Sequence, residues 1–167
     1  SKNKIDKKMK IINAGITTME HHLKQQKKLE IENEENFQLK CLVIDVRSSK
    51  DWYINGRSYN TNWRRNLAFY QTIVALAKKN KGILFLIKSK SYDWLEISYF
   101  KDILEEIKSI TNIIILNDLK KWTPTNCLAN TDFGIAAYGT TLADEMLAFG
   151  KPVIIYEIND EKNTLLN

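Results

Sequence analysis

At 167 residues the chain has material for one good hydrophobic core and not for a second full domain. With 44% hydrophobic and 27% charged residues it has the composition of an ordinary soluble globular protein, and no apolar run reaches the length of a membrane span or forms a signal-peptide core. The net charge of +5 is unevenly placed: eight Lys face two acids from Ser1 to Lys28, whereas 17 Lys/Arg face 18 acids from Leu29 onward. The body of the protein is thus near neutral, which disfavours nucleic acid as a partner, because a DNA- or RNA-reading domain carries its charge on the folded body.

Ile5, Met9, Ile12, Ile16, Met19 and Leu23 recur at spacings of four and three, which predicts an amphipathic helix weakened by Gly15 and Thr17-Thr18. The lysines of residues 1–28 suit peripheral contact with an acidic membrane, a partner, or the protein's own domain. Glu30 to Asn36 is an acidic, Asn-containing break. Residues 1–36 therefore read as a basic helix and linker, and 37–167 as the main domain. The chain opens on Ser1 rather than Met, as expected of a tagged chain, a processed product or an excised domain.

Beyond the linker, strands and helices alternate. Cys41 to Val46 reads as a strand, and Asn62 to Lys79 as a helix with Leu67, Tyr70, Ile73, Val74 and Ala77 on one face. Gly82 to Lys88 is a strand, Leu95 to Ser109 a helix, Asn112 to Leu116 a third strand, and Pro124 to Ala129 a short helix. Near-continuous Ile/Leu/Val runs separated by helices predict a parallel sheet covered on both faces, a doubly wound Rossmann-like α/β sandwich. Cys41 and Cys127 lie among apolar residues without metal-ligand spacing and read as small core residues of a reducing cytoplasm.

The richest segment follows. Asp132 to Ala137 is an apolar strand, Tyr138-Gly139 a turn, and Thr140 or Thr141 an N-cap, with Asp144 and Glu145 inside the next turns. Gly150 closes this helix, Pro152 prevents its continuation, and Val153 to Tyr156 is another buried run. A Gly-Thr-Thr turn feeding a helix offers free N–H groups and the positive dipole end to an anion. Glu145, one turn further, suits a sugar hydroxyl, whereas Asp144 suits the solvent side. The combination points to the diphosphate of a nucleotide sugar.

The stretch from Ala137 to Ile154, AYGTTLADEMLAFGKPVI, resembles the donor-site motif of GT-B glycosyltransferases. It is similar in particular to bacterial capsule and surface-polysaccharide transferases, including those resembling CDP-glycerol and Kdo transferases. The likeness is sharp over about residues 125–157 and looser back to about residue 41; the same pattern occurs in non-hydrolysing UDP-sugar 2-epimerases. The resemblance implies one Rossmann-like half of a GT-B fold, with the nucleotide-sugar donor on this half and the acceptor on a missing N-terminal domain.

In such a sheet ligands bind beyond the carboxyl ends of the strands. Arg47-Ser48-Ser49-Lys50 follows the first strand and Lys88-Ser89-Lys90 the second, and both suit a diphosphate. The resembling transferases often have a phosphate-contacting basic residue after each of these strands, and many carry Lys-Pro-His-Pro after the second; this chain lacks that His. The loop after the third strand, Asn117 to Trp122 with Leu119 between, lies where such enzymes read the base. Trp122 suits either base stacking or a plug between helices. The expected donor site is therefore Tyr138, Gly139, Thr140, Thr141, Glu145, Arg47 and Lys88, with Asn117, Leu119 and Trp122 near the base.

Several chemistries lack their motifs. His21 and His22 are adjacent rather than one helical turn apart and do not share a metal-binding face. The chain has no Gly-x-Ser-x-Gly elbow, no Gly-x-x-x-x-Gly-Lys loop and no Gly-x-Gly-x-x-Gly after the first strand. Asp45 is not accompanied by the acidic pair and Thr-Lys set of a receiver phosphoacceptor. The expected function is metal-independent donor binding without a cofactor, by a cytoplasmic domain, peripheral on the inner membrane face, that is inactive alone and whose catalytic residues are not named by its sequence. The alternatives are a 2-epimerase-like enzyme of the same fold and a non-catalytic Rossmann-like assembly or regulatory domain.

Overall fold

The structure, a computed structural model, describes residues 24–46 and 63–156. The helical stripe from Ile5 to Leu23, the His pair and the Arg47 loop lie outside the described residues. Five strands, β1 Leu39–Ile44, β2 Ile83–Lys88, β3 Ile113–Ile115, β4 Phe133–Ala136 and β5 Val153–Ile155, form one sheet. The helices that accompany them among the described residues include α1 Trp63–Lys79, α2 Lys101–Lys108, α3 Pro124–Ala129 and α4 Thr141–Ala148. Every pairing is parallel and the strand order is β3-β2-β1-β4-β5. The order reverses between β1 and β4, the topological switch point of a doubly wound sheet.

The strand sequences account for the two-sided burial. Alternate residues of β1 and β2 go to opposite faces, so Cys41, Val43, Phe85 and Ile87 join one core and Leu42, Ile44, Leu84 and Leu86 the other. Phe69, Tyr70, Ile73 and Val74 of α1 with Ile103, Leu104 and Ile107 of α2 cover the first face. Cys127 and Leu128 of α3 with Ala143 and Met146 of α4 cover the second. Both cysteines are buried free thiols, as the sequence predicts, and burial pushes each thiol up to about 12.

One expected helix differs. The path over residues 95–109 is α-helical only from Lys101; two short 3₁₀ turns, Asp93–Glu96 and Ser98–Phe100, precede it. Trp94, Ile97 and Phe100 are all buried at spacings of three, the period of a 3₁₀ rather than an α path. The Trp94 ring stacks on Tyr70 at 4.5 Å and meets Phe100 edge-on at 5.5 Å. This tertiary packing overrides local helix propensity.

Three devices at or near the amino ends of the strands brace the frame. Asn112 donates to the carbonyls of Ala77, Asn80 and Ile83 at 3.0, 3.2 and 2.9 Å, tying the end of α1 to β2. Asn126 and Asn130, one turn apart on and just beyond α3, bond Lys27 and Leu29: the Asn130 amide accepts from Leu29 N–H at 2.8 Å and donates to Lys27 O at 2.8 Å. Ile31 is buried in the second core, so residues 27–31 pack on the domain itself. At the end of α4, Gly150 is left-handed with φ 72°, and Lys151 N–H reaches Met146 O while Gly150 N–H reaches Leu147 O. These are the two bonds of a Schellman stop.

Candidate functional site

β4 ends at Ala136, beside β1, and the chain turns through Tyr138 and Gly139 into α4. Thr140 is the N-cap: its backbone is extended and its hydroxyl accepts from Ala143 N–H at 3.3 Å. The sequence left Thr140 and Thr141 open as caps; Thr141 is the first helical residue and is exposed. The N–H groups of Thr141 and Leu142 belong to the first turn, which has no intrahelical acceptors for them. Among the described residues a Cβ placed on Gly139 meets nothing within 4 Å, and its φ is not in the left-handed region. The turn does not need glycine for its own geometry. What glycine leaves is room for approach to the backbone at the mouth of α4.

Glu145 faces inward and is only 7% exposed, while Asp144 is exposed, as expected of a charge that complements the helix dipole. Beneath α4, Gly134 lets the helix lie close to the sheet, since a Cβ there falls 2.7 Å from the Met146 sulfur. The sequence around the mouth thus divides its labour: Gly134, Met146 and Gly150 set the helix in place, and Gly139, Thr140 and Thr141 form its open end.

Lys88 lies level with Ile44 of β1, which in turn is level with Ala136 of β4. Two strand spacings of about 4.8 Å separate it from Ala136 at the end of β4. Its side chain is turned inward, 8% exposed, and the ammonium donates to Ser89 O at 2.7 Å. Next to it is a polar network that the sequence reading did not identify. The Asp45 carboxylate oxygen Oδ2 accepts from the Tyr70 hydroxyl and from Ser89 Oγ at 2.7 Å, and Trp94 Nε1 donates to Ser89 Oγ at 2.9 Å. Asp45 is 4% exposed, and its Oδ1 has no hydrogen-bond partner among the described residues. Burial pushes this carboxyl up from 3.8 to about 7, opposed by Tyr70, Ser89, the Lys90 backbone and the Lys88 charge.

The loop after β3 presents Asn117 and Leu119 to solvent, with Asp118 accepting from Lys120 and Lys121 N–H at 3.0 Å each. Trp122 is different: at 6% exposure it belongs to the second core with Leu116 and Leu128, the plug alternative of the sequence reading. The Lys of the Gly-Lys-Pro segment also has an internal role. Lys151 donates to the carbonyls of Leu128 and Thr131 at the amino end of the sheet, away from the mouth of α4. Burial lowers its ammonium, with Asp132 opposing.

Arg65 was also missed. It lies in the first turn of α1 and donates to the Tyr138 hydroxyl at 3.0 Å, with its guanidinium carbon 5.9 Å from that ring. Asn66 beside it donates to Val46 O at 3.0 Å, which pins the start of α1 to the exit of β1. The available signal was Trp63-Arg64-Arg65, two cations at a helix start with no acid in the first turn. Among the described residues no group of three or more His, Cys, Asp or Glu is arranged to hold a metal, and no helix is long and apolar enough to cross a membrane. No protein-family model and no curated protein sequence matches the chain.

Proposed function

We propose that this domain is the donor-binding half of a GT-B glycosyltransferase of bacterial surface-polysaccharide assembly. It holds the nucleoside diphosphate of a nucleotide sugar at Tyr138, Gly139, Thr140, Thr141 and Glu145. The observation that carries the reading is the N-terminal end of α4 at the strand-order reversal, where the first-turn N–H groups of Thr141 and Leu142, which have no intrahelical acceptors, coincide with space beside Gly139 that no described residue fills. The helix end stabilises the diphosphate as it leaves, Glu145 accepts from ribose or sugar hydroxyls, and the exposed Asn117–Leu119 loop lies toward the base. The acceptor and the base that deprotonates it belong to the other domain of the cleft, so the domain alone binds donor without transferring it.

Calorimetric titration of the chain with UDP, CDP, GDP and CMP tests this. Saturable binding of at least one nucleoside diphosphate is expected, together with no sugar transfer from radiolabelled donors to added acceptors. Failure of all four to bind removes the donor-site reading in favour of a non-catalytic scaffold, and turnover by this chain alone removes the two-domain reading.

A further inference from the structure

We propose that Asp45 is a proton-dependent latch: the segment from Ser89 to Phe100 stays packed on the sheet while this carboxyl holds its proton, and opens when it ionises. The latch needs no ligand and stands whether or not a nucleotide binds. Side chains tie the segment down. Its backbone-to-backbone hydrogen bonds among the described residues are local: Leu95 N–H to Tyr92 O, Ile97 N–H to Trp94 O and Phe100 N–H to Ile97 O, at 3.0, 3.1 and 3.0 Å. Anchorage to the rest comes from buried Trp94, Ile97 and Phe100, from the Tyr92 hydroxyl on Leu116 O, and from the path Trp94 Nε1 to Ser89 Oγ to Asp45. Asp45 also receives the Tyr70 hydroxyl, so one carboxyl joins β1, α1 and this segment.

The two carboxyl oxygens are unequally placed. Oδ2 accepts from Tyr70 and Ser89, whereas Oδ1 is buried and has no hydrogen-bond partner among the described residues. A neutral carboxyl fits this arrangement with its proton on Oδ1 and Oδ2 as the acceptor. An ionised one places charge on an oxygen that lacks a donor, which is costly in a dry interior. Water reaches Oδ1 if a covering element lifts. α1 runs for 17 residues and is braced at its two ends through Asn66 and Asn112. The segment of 3₁₀ turns, with its local bonds, is the part that lifts at least cost.

The titratable groups that face Asp45 are Tyr70 from α1, Lys88 from the end of β2 and Tyr92 from the segment; β4, on the other side of β1, ends in Ala136 and Ala137 and adds none. Burial holds the Tyr70 hydroxyl well up and Tyr92 at about 12, so both stay neutral through the range in which Asp45 titrates. Burial likewise pushes the Asp45 carboxyl up to about 7, against Tyr70, Ser89, the Lys90 backbone and Lys88. The closed form therefore holds its proton more tightly than the open form, and closure weakens as pH rises from about 4 to about 7.

Native-state hydrogen exchange of the full chain tests this at the amides of Leu95, Ile97 and Phe100, with rates divided by their intrinsic values at each pH. Between pH 5 and pH 8 their opening constant is expected to rise roughly a hundredfold. The opening should depend little on urea and occur at lower protection than that of Leu84 to Ile87 in β2. Asp45→Asn should abolish the pH dependence. Tyr70→Phe keeps the carboxyl but removes a donor to its charged form, and should move the rise to higher pH. The latch is overturned if the three amides exchange only together with β2 and with its urea slope. Equal opening at pH 5 and pH 8, or a rise that persists in Asp45→Asn, overturns it as well. If Asp45→Asn fails to fold, Tyr70→Phe decides, and an unmoved rise in that variant refutes the latch.

Discussion

Asp45 provides a test that does not depend on any ligand. Its carboxyl is buried against Tyr70, Ser89 and Trp94 and is pushed from 3.8 up to about 7 by loss of solvation. The native protein therefore keeps a proton that the unfolded chain has released, and stability falls as pH rises through this interval. The Asp45 contribution is full below about pH 4, declines toward pH 7 and is flat above it; at about 1.36 kcal/mol per pH unit the span is roughly 4 kcal/mol. Asp45→Asn removes the titration but leaves a buried amide N–H₂ to satisfy, at a cost of about 1–3 kcal/mol. The variant is thus expected to be less stable than the parent near pH 4.5 and more stable near pH 8, the difference moving by about 3 kcal/mol. Urea unfolding at constant ionic strength across this range, followed by tryptophan fluorescence, measures it; Trp94 on Tyr70 is a reporter inside the network. Parallel pH profiles for the two proteins between pH 5 and 8 would show that the carboxyl is already ionised without penalty, and the burial reasoning would fall.

At the mouth of α4, Gly139→Ala is expected to leave the melting temperature unchanged or slightly raised, because the added methyl meets none of the described residues. The same change should weaken nucleoside diphosphate binding, and equal affinity in calorimetry would show that the ligand does not approach this backbone. Glu145→Ala should cost roughly ten- to hundredfold in UDP or CDP affinity through one lost charge-assisted hydrogen bond, with nucleotide titration as the check. Lys151→Met should behave in the opposite way, losing about 1.5–3 kcal/mol of stability in urea unfolding as the Leu128 and Thr131 carbonyls lose their donor, with nucleotide affinity unchanged. A loss of affinity in that variant, at full stability, would place Lys151 in the site after all.

Local pattern was enough for the architecture. The apolar runs of β1 and β2, buried on both faces, can only be inner strands of a covered parallel sheet. Thr140 and Gly150 announce the two ends of α4 because capping uses groups within five residues of each other, a distance that sequence order itself encodes. The exposed Asp144 and inward Glu145 follow from their neighbouring positions on the same helix.

Contacts between distant parts of the chain were decided by the tertiary structure. Arg65 and Tyr138 are 73 residues apart, and no spacing rule connects a helix start to a turn after another strand. The Asp45 network joins β1, α1, the end of β2 and a 3₁₀ turn, and only the assembled fold makes its carboxyl both buried and bonded. The same holds for the heads of Lys88, Lys151 and Trp122. A long or amphipathic side chain at an element's end can turn to solvent or inward, and the choice depends on which carbonyls and apolar surfaces the neighbouring elements bring within reach. Backbone periodicity specifies which face of a strand or helix is buried, whereas the partner of each polar group is set by distances that exist only once the sheet order β3-β2-β1-β4-β5 has closed.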